Sequence, residues 1–268
     1  MNTIRKHLSA VKGGRLAAAA HPARVVTLVV SDIPGDNPAF VASGPTVPDP
    51  AGRADALRLV GTYGIALPEA AMRHLGSPAA DAPKPDDPRF ARDEVHVIAS
   101  AALSLEAAAA EAKRCGMEAV ILSDAIEGEA KAVGGVHAAI AREIAKRNRP
   151  FARPALLLSG GETTVTVRGP GGRGGRNGEF LLSLALGIDG VEGVHAFAAD
   201  TDGIDGTQDN AGAFADFTSA ARMREAGLDP RALLAAHDSW AAFDAIGDLF
   251  APGPTGTNVN DLRAVLVA

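Results

Sequence analysis

Residues 158–180 read LSGGETTVTVRGPGGRGGRNGEF, and after an apolar helix and a strand the chain continues over 198–206 as AADTDGIDG. A glycine loop bearing Arg173 and Arg176 thus stands a short way in sequence from three carboxylates, Asp200, Asp202 and Asp205. Loop amides and guanidinium groups suit phosphate oxygens, whereas clustered aspartates suit a divalent cation or a proton. The order strand, loop, helix, strand is that of an α/β unit, and its chemistry is that of phosphoryl transfer.

On either side the alternation continues. Strands are predicted over 95–99 and 118–122, and helices over 101–114 and 130–147, the second with Val133, Val136, Ile140 and Ile144 on one face. Such βαβα order gives parallel strands with right-handed connections. Residues 155–159 and 163–167 read as a hairpin turning through Gly160-Gly161-Glu162, followed by a helix over 179–186 and a strand over 194–199. The tail carries two amphipathic helices, the loop GPTGTNVNDL at 253–262 and a last strand over 264–267.

Toward the N-terminus, residues 1–14 read as a helix with Ile4, Leu8 and Val11 inward and Arg5, Lys6 and Lys12 outward, broken by Gly13-Gly14. An alanine-rich helix follows, then the β-branched run at 25–30, as expected of a strand covered on both faces in a parallel sheet. Asp32 and Asp36 lie just beyond its carboxyl end, where open α/β sheets bind ligands, and where a plain surface turn is equally consistent. Two helices are expected within 53–75. The proline-rich stretch 76–92 reads as a linker, giving domains at 1–92 and 93–268.

Bulk properties narrow the function. At 268 residues, with 47% hydrophobic and 22% charged residues, the chain has material for a sizeable aliphatic core in one large or two modest domains. A formal charge of −6 gives no basic footprint for nucleic acid. No apolar run approaches the roughly 20 residues that span a bilayer, and the charged N-terminus is no secretory signal, so a cytoplasmic location is expected. The single cysteine, Cys115, forms no intrachain disulfide and reads as a small buried filler.

No Walker A sequence, kinase catalytic loop, paired CxxC or HExxH occurs. G-x-G-x-x-G is met at Gly169, Gly171 and Gly174, but two arginines crowd the loop and the strand before it reads as half of a hairpin. A phosphate or carboxylate cradle fits better than a dinucleotide fold, with Arg176 and Asn177 just ahead of a helix N-terminus. Asp200-Thr201-Asp202-Gly203-Ile204-Asp205 resembles half of a calcium loop that lacks its bidentate acid. Asp205 could equally serve only to hold its loop, Glu162 is a further candidate acid, and Thr255, Thr257 and Asn258 could line a pocket. His7 and His195 read as incidental.

Five segments together carry a family resemblance: IRKHLSAVKGGRLA at 4–17, SDIPGDNPAFVASGPTVPD at 31–49, LLSGGETTVTVRGPGGRGGRNGEF at 157–180, DTDGIDGTQDNAGAF at 200–214 and GPTGTNVNDL at 253–262. The chain resembles the type II glycerate kinases, glycerate 2-kinases with a C-terminal MOFRL domain, here expected at about 154–262. The resemblance implies two α/β domains, the first an incomplete Rossmann-like parallel sheet and the second a mixed-sheet MOFRL-type domain, with the active site in the cleft between them. It implies ATP-dependent phosphorylation of D-glycerate at its 2-hydroxyl to 2-phosphoglycerate, with Mg2+ or another divalent cation. Relatives have also been labelled hydroxypyruvate reductases. An NAD(P)-dependent reductase and a non-catalytic nucleotide- or glycerate-binding fragment are the alternatives.

Carried over by motif, Arg176 would meet phosphate or transition-state charge. Asp202 would hold metal or take the hydroxyl proton, and Asp36 would line the site from the other domain. Asp200 joins Asp202 as a metal ligand. Substrate or nucleotide contacts fall to Lys12, Arg15, Ser31, Asp32, Ser43, Gly44, Gly160, Gly161, Glu162, Gly174, Gly175, Asn177, Thr255 and Asn258. The implied partners are small molecules, with no nucleic acid and no membrane and a homodimer left open. Family members carry a long region ahead of the first helix, with a glycine-rich loop and a lysine. The chain is therefore expected to be truncated, to expose the edge of the 25–30 strand and to turn over poorly.

Overall fold

The computed structural model describes residues 1–268, which divide into two compact units, Met1–Ala99 and Ser100–Ala268. The division falls at Ala99/Ser100, not at 92/93. The strand β2 (Glu94–Ala99) pairs in parallel with β1 (Val26–Val30) and so belongs to the first unit.

In the first unit, helices α1 (Asn2–Leu8), α2 (Arg15–Ala20), α3 (Arg53–Thr62) and α4 (Glu69–Leu75) accompany that two-stranded sheet. Ile4, Ala56, Val60, Leu75 and Ala80 form a small core. Four readings change here. The first helix stops at Leu8, so Val11 lies outside it and is exposed, as is Leu8. Lys6 points inward, where it pairs with the buried Asp49 and lies 4.5 Å from the centre of the Phe40 ring. Aliphatic periodicity could not show this, because the paired carboxylate lies far along the chain. The β1 strand is not covered on both faces: Val26 and Leu28 are 52% and 63% exposed. The stretch 76–92 is packed rather than a free linker, with Ala80 fully buried and the Asp81 carboxylate paired with Arg53.

The second unit is built on a six-stranded mixed sheet. Its strands are β3 (Ala119–Ser123), β5 (Ala155–Gly161), β7 (Val194–Asp200), β8 (Gly212–Asp216), β9 (Leu249–Phe250) and β10 (Asp261–Val267), in the order β3-β5-β10-β7-β8-β9. Only β3 and β5 are parallel, joined through α6 (Ala130–Arg147). The other pairs are antiparallel. The expected hairpin does not form. The last strand, β10, inserts beside β5, while β6 (Thr163–Thr164) pairs in parallel with β4 (Gly128–Glu129). No feature local to Gly160-Gly161-Glu162 announces a partner from the far end of the chain.

Helix α5 (Ala101–Arg114) packs on β3, β5 and β10. Helix α7 (Arg176–Gly187) is buried nearly all round, with Phe180, Leu181, Leu182, Leu184 and Ala185 at zero exposure, as befits a helix apolar on every face. It packs on α6, on β7 and β8, and on α8 (Ser219–Glu225), α9 (Pro230–Ala235) and α10 (Ser239–Asp244). The tail thus holds three short helices and the strands β8 and β9, which were not anticipated. On α6 the inward residues include His137, Ala138 and Ala141, whereas Val136 is exposed; Cys115 is exposed as well. No helix is long and apolar enough to cross a membrane.

Candidate active site

The site grows from the first turn of α7. This helix begins at Arg176, three residues before its expected start, so Arg176 and Asn177 are part of it. A helix N-terminus leaves its first amides unsatisfied. Here the carboxylate of Asp205 reaches across from the β7–β8 loop and accepts the Asn177 amide at 2.9 Å and the Gly178 amide at 2.8 Å. A Cβ on Gly175 would run into that carboxyl group, so glycine at this position is what admits the cap. Asp205 therefore holds the helix start and its own loop.

The guanidinium of Arg176 is pinned by three carboxylates from separate segments. Nε donates to Asp261 at 2.8 Å, Nη2 to Asp200 at 2.6 Å and Nη1 to Glu162 at 2.8 Å. Asp261, the first residue of β10, is fully buried and also accepts Asn177 Nδ2 at 2.8 Å and the guanidinium of Arg263. Arg263 itself is fully buried, donating also to Gly160 O and Thr163 Oγ1 and lying over the Phe180 ring. Two arginines are thus clamped from either side of one carboxylate.

Burial sets the charges. It opposes ionisation of Arg176, but Asp261, Asp200 and Glu162 outweigh it and raise the guanidinium above its usual pKa. Burial pushes Asp200 up to about 6, against the pull of the Asp202 amide and the Arg176 charge. Burial likewise pushes Asp205 from 3.8 to about 6, against the amides it caps. The folded chain therefore holds a proton on Asp205 between about pH 4 and 6 that the unfolded chain has released, so this group's contribution to stability falls as pH rises through that window. Comparing parent and Asp205→Asn by chemical denaturation, we expect the variant to gain about 3 kcal/mol on the parent between pH 4 and pH 7, beyond a constant offset for the altered cap.

Arg176, Asp200 and Glu162 open onto a cavity of about 630 Å³. Of the residues expected from sequence, Glu162, Gly174, Gly175, Arg176, Asp200, Asp202 and Asn258 line it. Asp202 is only partly buried. It accepts the Ile204 amide on Oδ1, and Asn258 Nδ2 lies 3.5 Å from Oδ2. Loops 200–205 and 253–260 are stitched together by Thr255 and Thr201, through Thr255 Oγ1 to Thr201 O at 2.6 Å and Thr201 Oγ1 to Asn260 O at 2.8 Å. Thr255 thus builds the loop that delivers Asn258 and is absent from the cavity wall. Gly160 and Gly161 lie inside buried β5, and Asn177 is fully buried beneath the cavity.

Within the first unit, Lys12 donates to Ala42 O at 2.8 Å. Arg15 donates to the carbonyls of Ser9, Ala80 and Asp81, with burial lowering its pKa against the Asp81 charge. Ser31 is buried at the end of β1, its amide bonded to Ala99 O; Asp32 is exposed and Asp36 half-buried with φ 49°. Ser43 is buried and bonds Asn2 Oδ1, and Gly44 has no room for a side chain against Ala39 O.

The glycine loop is fastened to the α9–α10 turn. Gly172 N donates to Ala236 O at 2.9 Å, Trp240 N to Arg173 O at 3.0 Å, and the Arg173 guanidinium stacks 4.1 Å from the centre of the Trp240 ring. The dinucleotide pattern finds no support in this setting, since the strand before it has two residues and the loop rests against the α9–α10 turn. Sequence reasoning missed four residues here: Asp261, Arg263 and the pair Glu179–His237, bonded Oε2 to Nδ1 at 2.8 Å on the cavity wall. Glu179 and Asp261 fall within quoted segments but carry no signature of their roles, and each of the four acquires its partner only through folding.

A divalent cation can be tested against this geometry. No group of three or more His, Cys, Asp or Glu side chains is arranged to hold one. Magnesium, however, usually takes one or two carboxylates and completes its shell with phosphate oxygens and water. Asp200 is engaged by Arg176 and the Asp202 amide, which leaves the cavity-facing carboxylate of Asp202 to fit that requirement.

Two family models match the chain: the MOFRL family over residues 155–261 and a domain of unknown function, DUF4147, over residues 1–76. A protein from Agrobacterium vitis named as a hydroxypyruvate reductase is 53% identical over all of this chain and 60% of its own length. A glycerate 2-kinase from Pyrococcus horikoshii is 43% identical over 100% of this chain and 61% of that protein. The crystal structure of a glycerate kinase from Thermotoga maritima superposes with a TM-score of 0.90 at 41% identity, covering 100% of this chain and 63% of that one. The chain thus spans about 60% of the length of these relatives.

Proposed function

Because the chain belongs to the glycerate kinase family that carries a MOFRL domain, we propose that it transfers the γ-phosphoryl group of ATP to the 2-hydroxyl of D-glycerate, giving 2-phosphoglycerate and ADP. The observation that carries this reading is the state of Arg176. A guanidinium has five N–H donors. Its bonds to Asp261, Asp200 and Glu162 use one on each nitrogen, which leaves one N–H on each terminal nitrogen. Arg176 lines the cavity, so these two N–H groups remain as a fork for two oxygens of a phosphoryl group.

Catalysis of phosphoryl transfer rests on positioning and neutralisation of charge. Arg176 does the first, because three carboxylates hold its fork in place before any ligand arrives. Neutralisation needs more, since those carboxylates outnumber the one guanidinium they hold. A divalent cation held by Asp202 would supply it. Asn258, close to Asp202, is a donor for a substrate carboxylate or hydroxyl. The Gly174–Gly175 backbone gives close access along the same wall.

The Agrobacterium relatives favour a second reading, hydride transfer between a nicotinamide cofactor and hydroxypyruvate. A coupled ADP-release assay with D-glycerate, ATP and Mg2+ separates the two, with phosphorus NMR of the product fixing the position of the phosphate. We expect slow D-glycerate-dependent ADP release and a 2-phosphate. A nicotinamide absorbance change with hydroxypyruvate in the absence of ATP, and no ADP, would sink the kinase reading.

A further inference from the structure

Three helices in this chain are followed by a glycine in the left-handed region, and α6 by Asn148 with φ 52°. Gly64, Gly116 and Gly227 each follow the cap residue of α3, α5 and α8, with φ of 57°, 80° and 80°. At the same place after α9 stands His237, with φ 57°. Histidine tolerates this region better than most residues, but glycine takes it with less strain. Strain kept in place by its surroundings points to a use for the side chain.

The surroundings show the use. His237 Nδ1 lies 2.8 Å from Glu179 Oε2, and the Glu179 side chain is only 2% exposed. The other oxygen, Oε1, is buried with no partner, so the pair is Glu179's one polar engagement. No protein group takes His237 Nε2, and both residues line the cavity that holds Arg176 and Asp202. Glu179 stands one helical turn beyond Arg176 on α7, so the two side chains emerge on one face. An imidazole tied at one nitrogen to a buried carboxylate is oriented to accept a proton at the other, and the carboxylate stabilises the cation that results.

Resting on the kinase reading, we infer that His237 is the general base toward the acceptor hydroxyl and Glu179 its positioning residue. Nε2 takes the hydroxyl proton while the oxygen forms its bond to the γ-phosphorus. The bond from that phosphorus to the β,γ-bridging oxygen breaks, and its electron pair leaves on the nucleoside diphosphate. Asp202 is then left to the cation, and the two tasks that sequence assigned to one aspartate are divided between two side chains.

The test uses His237→Gly in the whole chain. Glycine suits the left-handed position, so the turn is kept, and the space left by the ring admits free imidazole. We expect kcat for glycerate-dependent ADP release to fall about 10²-fold or more, with both KM values within about threefold. Added imidazole should restore at least about tenfold of the loss. His237→Asn, which also accepts φ above zero, should show the same fall. Glu179→Gln should lower kcat in the parent and add nothing further in the His237→Gly background, as residues acting as one unit do. A His237→Gly rate within about threefold of the parent, no response to imidazole, a change confined to KM, or an additive Glu179→Gln effect overturns the base role alone. No ADP release from the parent overturns the kinase reading and the base role with it.

Discussion

Replacing Arg176 by alanine is expected to lower kcat for phosphoryl transfer by about 10²–10³, the usual effect of deleting one donor aimed at transition-state charge. For a side chain that only met the transferring group, the loss of turnover would outweigh greatly any loss of stability. The geometry revises that expectation. Alanine would strand Asp200 and Asp261, both buried, without the cation between them. Breaking a fully buried ion pair from one side costs about 3–5 kcal/mol. Arg176 keeps 23% of its side chain exposed, so we expect about 2 kcal/mol by urea denaturation, alongside the catalytic loss. Arg176→Lys separates the two effects. It keeps the charge near the carboxylates but cannot supply a planar fork, so stability should largely recover while the rate does not. A lysine variant with near-parental turnover would show that the fork is not what the phosphoryl group meets.

The largest effect on stability is expected at Asp261. Its fully buried carboxylate is the partner shared by Arg176, Arg263 and Asn177. Asp261→Ala would leave the Arg263 guanidinium fully buried without its counter-charge, and burial already depresses the pKa of that group. We expect a loss of about 3–5 kcal/mol, read as a shift in the denaturation midpoint at unchanged slope. Adding Arg263→Met should recover much of this, because an apolar side chain over the Phe180 ring leaves no stranded charge there. A double variant no more stable than Asp261→Ala would refute that explanation. Turnover should stay low in both, since Arg176 has lost the bond at Nε.

What could be read from the sequence follows how local the information is. The limits of α5 and α6 coincide with their predicted spans, because helical periodicity repeats every few residues. Strand, glycine loop and helix are contiguous at 155–187, and Glu162, Arg176, Asp200, Asp202 and Asn258 do meet around one cavity. The errors are non-local. β10 inserts between β5 and β7, and that pairing turned an expected hairpin into a central strand. Lys6 was placed outward because Asp49 lies far away in sequence. Asp261 reads as the end of a polar loop and becomes the anchor of two arginines only once β10 is in register with β5 and β7. Strand β8, GAFAD, was missed because glycine and alanine carry little strand propensity and are held there by pairing with β7 and β9.

The stacking of Arg173 on Trp240, with the backbone bonds of Gly172 and Trp240 to either side of the α9–α10 turn, has a consequence for affinity. Ordering a free glycine-rich loop removes about 1–2 kcal/mol of conformational entropy per residue, and a ligand that must order such a loop binds more weakly by that amount. Here the order is established during folding, with Arg173 and Trp240 as its fastener. Loosening that fastener, as in Trp240→Ala, should therefore weaken binding of a ligand that contacts the loop without any change in the groups that touch it.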